Sequence, residues 1–517
     1  MTIKRAILAL LTILAIVQIG SSLKNSLSQP QIQSRLELYQ TNLVLQVAEF
    51  KSSPTDDFDL NSAVSSLVGQ EPYSAASKKY QEVRAETVTS RDTFKSQLQQ
   101  LTQPESDAVE VNESNNLALK TQLQQEIIEL ERFLNELDLK QGILLGVQEE
   151  TEAAVDTWQQ LIERLDRPQS TDAHTATALQ QVWQGQNKDL SPAEFTAIAN
   201  NLSGWFRYQA LAKYAQVNNL TQDLALLQAE ESKVAASSIF KLALISGIPV
   251  FGGIGGVILL ISLIIQRFVQ PEKAIITANS QTAWDTPWDW EITWQVLIVG
   301  FFFVGQFLLP TLIALSGINP GSSPLRIKAF YVLGTYLLMA LGGIAVLYLS
   351  LKAYFPLPQD WFKFKLTGNW FLWGFGGYLV AIPLVLLVSA INQQIWQGQG
   401  GSNPLLFLAL QAQDKVALAI FFGTASIAAP LFEEIMFRGF LLPSLTRYTS
   451  LSGAIAISSL IFAVAHLSLS EVLPLATLGI VLGFVYTRSR NLLAPMLLHC
   501  LWNSGTLVSL FVLGSGV

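Results

Sequence analysis

Residues Ala429–Phe440 read APLFEEIMFRGF. Glu433, Glu434 and Arg438 are three ionisable groups in a stretch that is otherwise apolar enough for a bilayer interior. A charged side chain at the centre of a membrane helix costs at least about 2.5–3.5 kcal/mol. Either the stretch is a surface helix, or it is a span whose charges are matched and used.

Composition points to the span. Half of the 517 residues are hydrophobic, only 14% are charged, and mean hydropathy is +0.36. Soluble domains carry roughly 25% charged residues. The formal net charge of −7 argues against a nucleic-acid partner, because a phosphate backbone calls for a basic surface. One cysteine, Cys500, allows neither an intrachain disulfide nor a cysteine zinc cluster.

Outward from Ala429–Phe440, apolar runs recur at 242–265, 295–316, 328–350, 371–391, 424–446, 451–469, 471–487 and 492–513. Residues 1–22 carry Lys4 and Arg5 before a short apolar run, as in a membrane anchor or a signal segment; an uncleaved anchor is expected, giving about nine spans. Trp284, Trp288, Trp290 and Trp294 precede a span, as interfacial aromatics do. Between the anchor and the second span the character reverses: residues 23–236 hold 30 acidic and 17 basic groups. There Leu123, Ile127, Leu130, Leu134, Leu137 and Leu144 follow a 3-4 spacing broken by Gln141, which predicts an amphipathic helix of a bundle or a short coiled-coil seam. Ser170–Leu179 and Asp189–Phe195 read as helix starts. The expected fold is all-α: a multi-pass transmembrane helical bundle with a large helical domain. Its parts are an anchor (1–22), a soluble domain (23–236), a span and linker (237–291) and the motif-bearing bundle (292–517). Alternating spans put Lys4, Arg5, Arg267, Lys273, Lys352, Lys363, Lys365, Arg447, Arg488 and Arg490 on one side. The positive-inside rule makes that side cytoplasmic and residues 23–236 extracytoplasmic.

The spans also contain two of the three histidines, His466 in FAVAH (Phe462–His466) and His499 in HCLWN (His499–Asn503). The order is EExxxR, FxxxH, HxxxN on three spans. Glu434 and Arg438, four apart, share a helix face and can pair; Glu433 points about 100° away and is freer to face something else. Phe462 packs one turn before His466. Glu433 and His466 each stand about 15 residues from the turn near Arg447–Ser450, or roughly 22 Å at 1.5 Å per residue, so they can meet at one depth. Each feature alone has an ordinary explanation: a surface ion pair, a satisfied histidine, interhelical glue. All three together in apolar spans point to a site. A carboxylate and a histidine can hold and activate a water, and a second histidine with an asparagine amide can donate to a developing oxyanion. There is no HExxH, so a zincin is unsupported. His174 in the soluble region has no such company.

The ordered motifs resemble those of the CPBP family of intramembrane proteases, which includes CAAX prenyl proteases of the Rce1 type, bacteriocin-processing proteins and abortive-infection proteins. The likeness covers roughly 292–517. It implies an intramembrane endopeptidase that hydrolyses a peptide bond of a membrane-associated protein or peptide. Glu433 and His466 would activate water, His499 and Asn503 would form the oxyanion site, Glu434 would belong to the motif, and Arg438 and Phe462 would support it. No cofactor is expected; the alternative is zinc held by Glu433, His466 and His499. The expected partners are the substrate, the lipid bilayer and a protein docking through 23–236, a region outside the motif-bearing core. Two rivals are a catalytically silent membrane scaffold or immunity protein of the same fold, and a proton-coupled transporter. Transporters often show internal repeats, and none is visible here.

Overall fold

A computed structural model describes residues 2–27, 29–50, 68–102, 113–165, 170–185, 190–280, 282–318, 320–321, 323–411 and 414–514. Among them the only regular structure is helical. Contacts divide the chain into two units: Met1–Leu27 with Ser246–Phe511, and a second centred on Ser28–Ile245.

The second unit is a polar-surfaced bundle. Its helices are α2 (Ile32–Ala48), α3 (Pro72–Thr102), α4 (Glu113–Val147), α5 (Thr151–Arg164), α6 (Thr171–Gln184), α7 (Pro192–Asn201) and α8 (Gly204–Val217), followed by the start of α9 (Thr221–Val269). The leucine series of α4 is buried from Leu123 to Leu144 and packs against α3 and α5. Gln141, which interrupts the series, stays in the core because its amide donates to Ser77 Oγ at 2.7 Å. Gly142 and Gly146 let α4 meet two indoles: a Cβ there would lie 2.3 Å from Trp158 Nε1 and 2.1 Å from Trp183 Nε1. Both anticipated helix starts form. Ser170 caps α6, and Ser191 with Glu194 makes a reciprocal capping box at α7 behind Pro192. Asp189 of the second start lies outside the described residues.

The first unit is the membrane bundle. It contains α1 (Ile3–Ser26), the apolar part of α9, α10 (Trp290–Ser316), α11 (Leu325–Tyr354), α12 (Trp370–Trp396), α13 (Pro404–Gln411), α14 (Lys415–Leu445), α15 (Leu451–Val464), α16 (Val472–Ser489) and α17 (Leu493–Gly514). Eight helices among the described residues are long and apolar enough to cross a membrane, so the protein is an integral multi-pass membrane protein. The expected ninth span, 451–469, is shorter: α15 ends at Val464. Leu467 then takes a left-handed φ of 59°, and the following loop turns toward residues 400–403. Asn392 Nδ2 donates to the Ser470 carbonyl at 2.6 Å, and Glu471 accepts from the Asn403 amide at 2.9 Å.

The tryptophans also depart from expectation. Trp284 and Trp288 are buried rather than interfacial. Their N–H groups find acceptors inside the protein, Trp284 on the Asp360 carbonyl (3.1 Å) and Trp288 on Ser444 Oγ (3.0 Å), which makes full burial affordable for an indole. These residues belong to a strap, 282–289, that gathers basic groups at one end of the bundle. Arg447 donates to the carbonyls of Thr286 and Trp288, Arg490 to that of Thr282, and Lys4 and Arg5 pair with Glu291 just beyond it. At the opposite end, Arg326 pairs with Asp414 ahead of α14.

Gly146→Ala should destabilise the chain by about 1–3 kcal/mol, the usual cost of overpacking, although alanine is the better helix former. Gly334→Ala, where a Cβ would meet nothing within 4 Å, should be neutral or slightly stabilising. Thermal unfolding in detergent checks both; equal midpoints for the two variants would contradict the close indole contact.

Candidate active site

The site is built from α14 outward. Asp414 caps the start of α14, accepting from the amides of Val416 and Ala417. The helix is regular through Ala429–Glu434 but opens into wide, π-type turns at Thr424–Ala428 and Ile435–Leu441. Such turns inside α-helices are frequent at functional sites.

Glu434 and Arg438 are both completely buried. Glu434 Oε1 accepts from Arg438 Nη1 at 2.8 Å and faces His499 Nδ1 at 2.9 Å. A buried carboxylate needs such compensation, since stranding one member of a buried pair costs about 3–5 kcal/mol. Arg438 uses Nη2 on the Gly479 carbonyl of α16, at 3.2 Å. Gly479 can present that carbonyl because its lack of a side chain lets α16 close on α15: a Cβ there would sit 2.8 Å from the Cβ of Ser459.

Phe462 is the apolar centre of the cluster. Its ring, fully buried, lies 4.4 Å from the Arg438 guanidinium carbon, 4.9 Å from the His466 ring and 5.7 Å from the His499 ring. One phenyl ring therefore touches all three motifs. His466 itself stands just past the end of α15, where its Nδ1 lies 2.8 Å from the Phe462 carbonyl. A carbonyl accepts only, so Nδ1 carries the proton and Nε2 presents a lone pair.

Glu433 is placed differently from its neighbour. Its Oε1 accepts from the Tyr336 hydroxyl of α11 at 3.2 Å, and its buried Oε2 has no hydrogen-bond partner among the described residues. Tyr336 went unnoticed in the sequence, where a single tyrosine in an apolar span carries no spacing relation to the motifs. Among the described residues no hydrogen bond joins Glu433 to His466. Asn503 on α17 donates one amide hydrogen to the Ala425 carbonyl at 2.7 Å, within the first wide turn of α14; an amide has a second hydrogen to offer. His499 and Asn503, four apart, thus grip α14 at two levels.

A zinc site needs three or four converging nitrogen, sulfur or oxygen ligands. No group of three His, Cys, Asp or Glu side chains converges in that way among the described residues.

A multi-pass helical bundle that buries a Glu–Arg–His cluster beside a second glutamate, one without an ion pair among the described residues, is the class of protein defined so far. Residues 415–505, which contain every motif residue, match the family model described as type II CAAX prenyl endopeptidase Rce1-like. Within these residues the chain is similar to that family. Over 133 residues, 26% of this chain, it is 28% identical to a Bacillus subtilis (strain 168) protein named "Putative membrane peptidase YdiL". Over 137 residues, 25% of this chain, it is 30% identical to the membrane-embedded CAAX protease MroQ of Staphylococcus aureus (strain USA300). The chain spans about half the length of each of these curated relatives, 53% and 54%. No solved structure matches the chain.

Arg438→Ala should sharply lower the detergent-extracted yield and the thermal midpoint, by about 3–5 kcal/mol, because Glu434 loses its permanent counter-charge. Arg438→Lys should rescue only in part, since one ammonium lacks the planar fork that serves Glu434 and Gly479 together. Full stability of the alanine variant would show the pair to be dispensable.

Proposed function

We propose that the membrane bundle is an intramembrane endopeptidase that hydrolyses a peptide bond of a membrane-associated protein or peptide with a water activated by Glu433 and His466. The observation that carries this reading is the unequal treatment of two adjacent carboxylates. Glu434 Oε1 is held by Arg438 and His499, whereas Glu433 Oε1 meets only the Tyr336 hydroxyl; each leaves a buried Oε2 without a partner among the described residues. Glu433 forms no ion pair among the described residues, so its carboxylate is not committed to a cation. The base is therefore Glu433.

The reaction balances with these groups. Water gives one hydrogen bond to Glu433 and one to the Nε2 lone pair of His466, and its oxygen attacks the scissile carbonyl carbon. Glu433 takes a proton from the attacking water. The tetrahedral oxyanion is stabilised by the free amide hydrogen of Asn503. His499 contributes the same way only as an imidazolium, because its Nδ1 faces Glu434. Glu433 then returns the proton to the leaving amine as the C–N bond breaks. Tyr336 positions Glu433 through its hydroxyl, and Phe462 fixes the two imidazoles. The names of the relatives agree with peptidase chemistry on membrane substrates; whether a CAAX end is what this chain cuts is left to experiment.

Glu433→Gln preserves shape and the Tyr336 contact while removing the base. It should fold normally and lose about 10²–10⁴ in rate. A proteome comparison of a Glu433→Gln strain with its parent identifies the uncleaved substrates, and cleavage of one of them by purified protein gives the rate. Cleavage should also survive a chelator; loss on chelation restored by zinc would favour the metal alternative. Near-normal turnover by Glu433→Gln would sink the assignment of the base.

We further propose that the basic end of the bundle is cytoplasmic and that residues 23–236 lie on the other side. Lys4, Arg5, Arg447 and Arg490 meeting one strap supports this arrangement. In a Cys500→Ser background, Glu150→Cys should react with an impermeant maleimide added from outside the cell. Labelling only after access from the cytoplasm would reverse the orientation.

A further inference from the structure

One cavity of the membrane bundle lies away from the Glu434–Arg438–His499 cluster. It is an apolar groove of 690 Å³ between α9, α12 and α16, walled by Leu259, Leu263, Phe375, Leu379, Ile480 and Phe484. Its lining is hydrocarbon almost throughout, so an aqueous ligand gains nothing there. Ile275 and Ile276 close one end, and this is the end where the basic residues collect. Asn279, three residues on, donates to the Arg488 carbonyl at 2.9 Å and holds the 275–279 segment against the last turn of α16.

Arg488 stands at that mouth. Its guanidinium carbon lies 4.7 Å from the centre of the Phe484 ring, a wall of the groove. Its Nε and Nη1 are buried and have no hydrogen-bond partner among the described residues. Arg490, only 7% exposed, is stacked on Trp284 and spends Nη2 on the Thr282 carbonyl, but its Nε and Nη1 are likewise unpartnered. No carboxylate forms an ion pair with either arginine among the described residues. Buried donors without acceptors are rare and call for an explanation, and those of Arg488, at the mouth of an apolar groove with no carboxylate paired to them, call for an anion. The planar fork of arginine suits a phosphate, which it can bind through two parallel hydrogen bonds.

We propose that this groove and the Arg488–Arg490 pair form a binding site for one anionic glycerophospholipid of the bilayer. Its acyl chains fill the groove and its phosphodiester headgroup takes the free N–H groups of Arg488, with Arg490 adding charge. Basic pockets at the end of a groove between membrane helices hold anionic lipid headgroups on the same physical grounds. The lipid would bear on α16 directly beside Gly479, whose carbonyl receives Arg438. This inference does not depend on the catalytic reading or on the orientation of the bundle.

The test uses the full-length chain in nanodiscs of phosphatidylcholine doped with phosphatidylglycerol, extracted gently and weighed by native mass spectrometry. The wild type should retain phosphatidylglycerol in preference to phosphatidylcholine. Arg488→Gln should reduce that retention at least about tenfold, the scale of one charge-assisted contact. Arg488→Lys, which keeps the charge and guards against a folding defect in the glutamine variant, should retain an intermediate amount. Ile480→Trp, which fills the groove, should displace the lipid with the arginines intact. Equal retention of both lipids by the wild type, undiminished phosphatidylglycerol on Arg488→Gln, or displacement of the lipid by inorganic phosphate would each overturn the proposal.

Discussion

Glu434 is an ionisable group buried in the apolar middle of a helical bundle, and its carboxylate is contacted twice, by Arg438 one turn on and by His499 from another helix. The remaining cluster is organised by these contacts. Arg438 brings α16 in through the Gly479 carbonyl, His499 brings α17, and Phe462 of α15 fills the space between the guanidinium and the two imidazoles. A buried ion pair adds little net stability compared with a well-packed apolar core. Its value here is geometric: the contacts of Arg438 and Glu434 tie α14 to α16 and α17.

Of the two adjacent carboxylates, Arg438 pairs with Glu434 and Tyr336 is tied to Glu433, so Glu433 is oriented without an ion pair. The histidines divide in a parallel way. His499 is committed through Nδ1 to a carboxylate, while His466 spends Nδ1 on a backbone carbonyl and keeps a lone pair outward.

Much of this was legible in the sequence because it rests on spacing. A separation of four placed Glu434 with Arg438 and Phe462 with His466; the 3-4 leucine series placed the buried face of α4; Ser191, Pro192 and Glu194 marked the start of α7. What stayed hidden rests on groups without a spacing rule. The Gly479 and Ala425 carbonyls are backbone atoms that every residue carries, and nothing local marks them as acceptors. Tyr336 is one of 12 tyrosines and meets Glu433 only through the tertiary fold. Trp284 and Trp288 resemble interfacial tryptophans until the acceptors at Asp360 and Ser444 are seen. His466 fell within an apolar run, and composition does not mark the point where a loop tied to residues 400–403 ends the helix at Val464.

The wide turns of α14 carry one more consequence. A π-type turn holds an extra residue relative to an α-turn, so Ile435–Leu441 works as a built-in insertion between the carboxylates and the Leu445 end of the helix. Deleting any one residue there would let the helix relax to regular α-geometry, with the ladder intact and the apolar character unchanged. Because the wide turn absorbs that residue, the flanking segments would keep nearly their phase, whereas the same deletion in the regular Ala429–Phe432 stretch would turn Glu433 and Glu434 by about 100° relative to the helix before them. The length of the chain is thus under tighter constraint in the regular stretch than in the wide turn beside it.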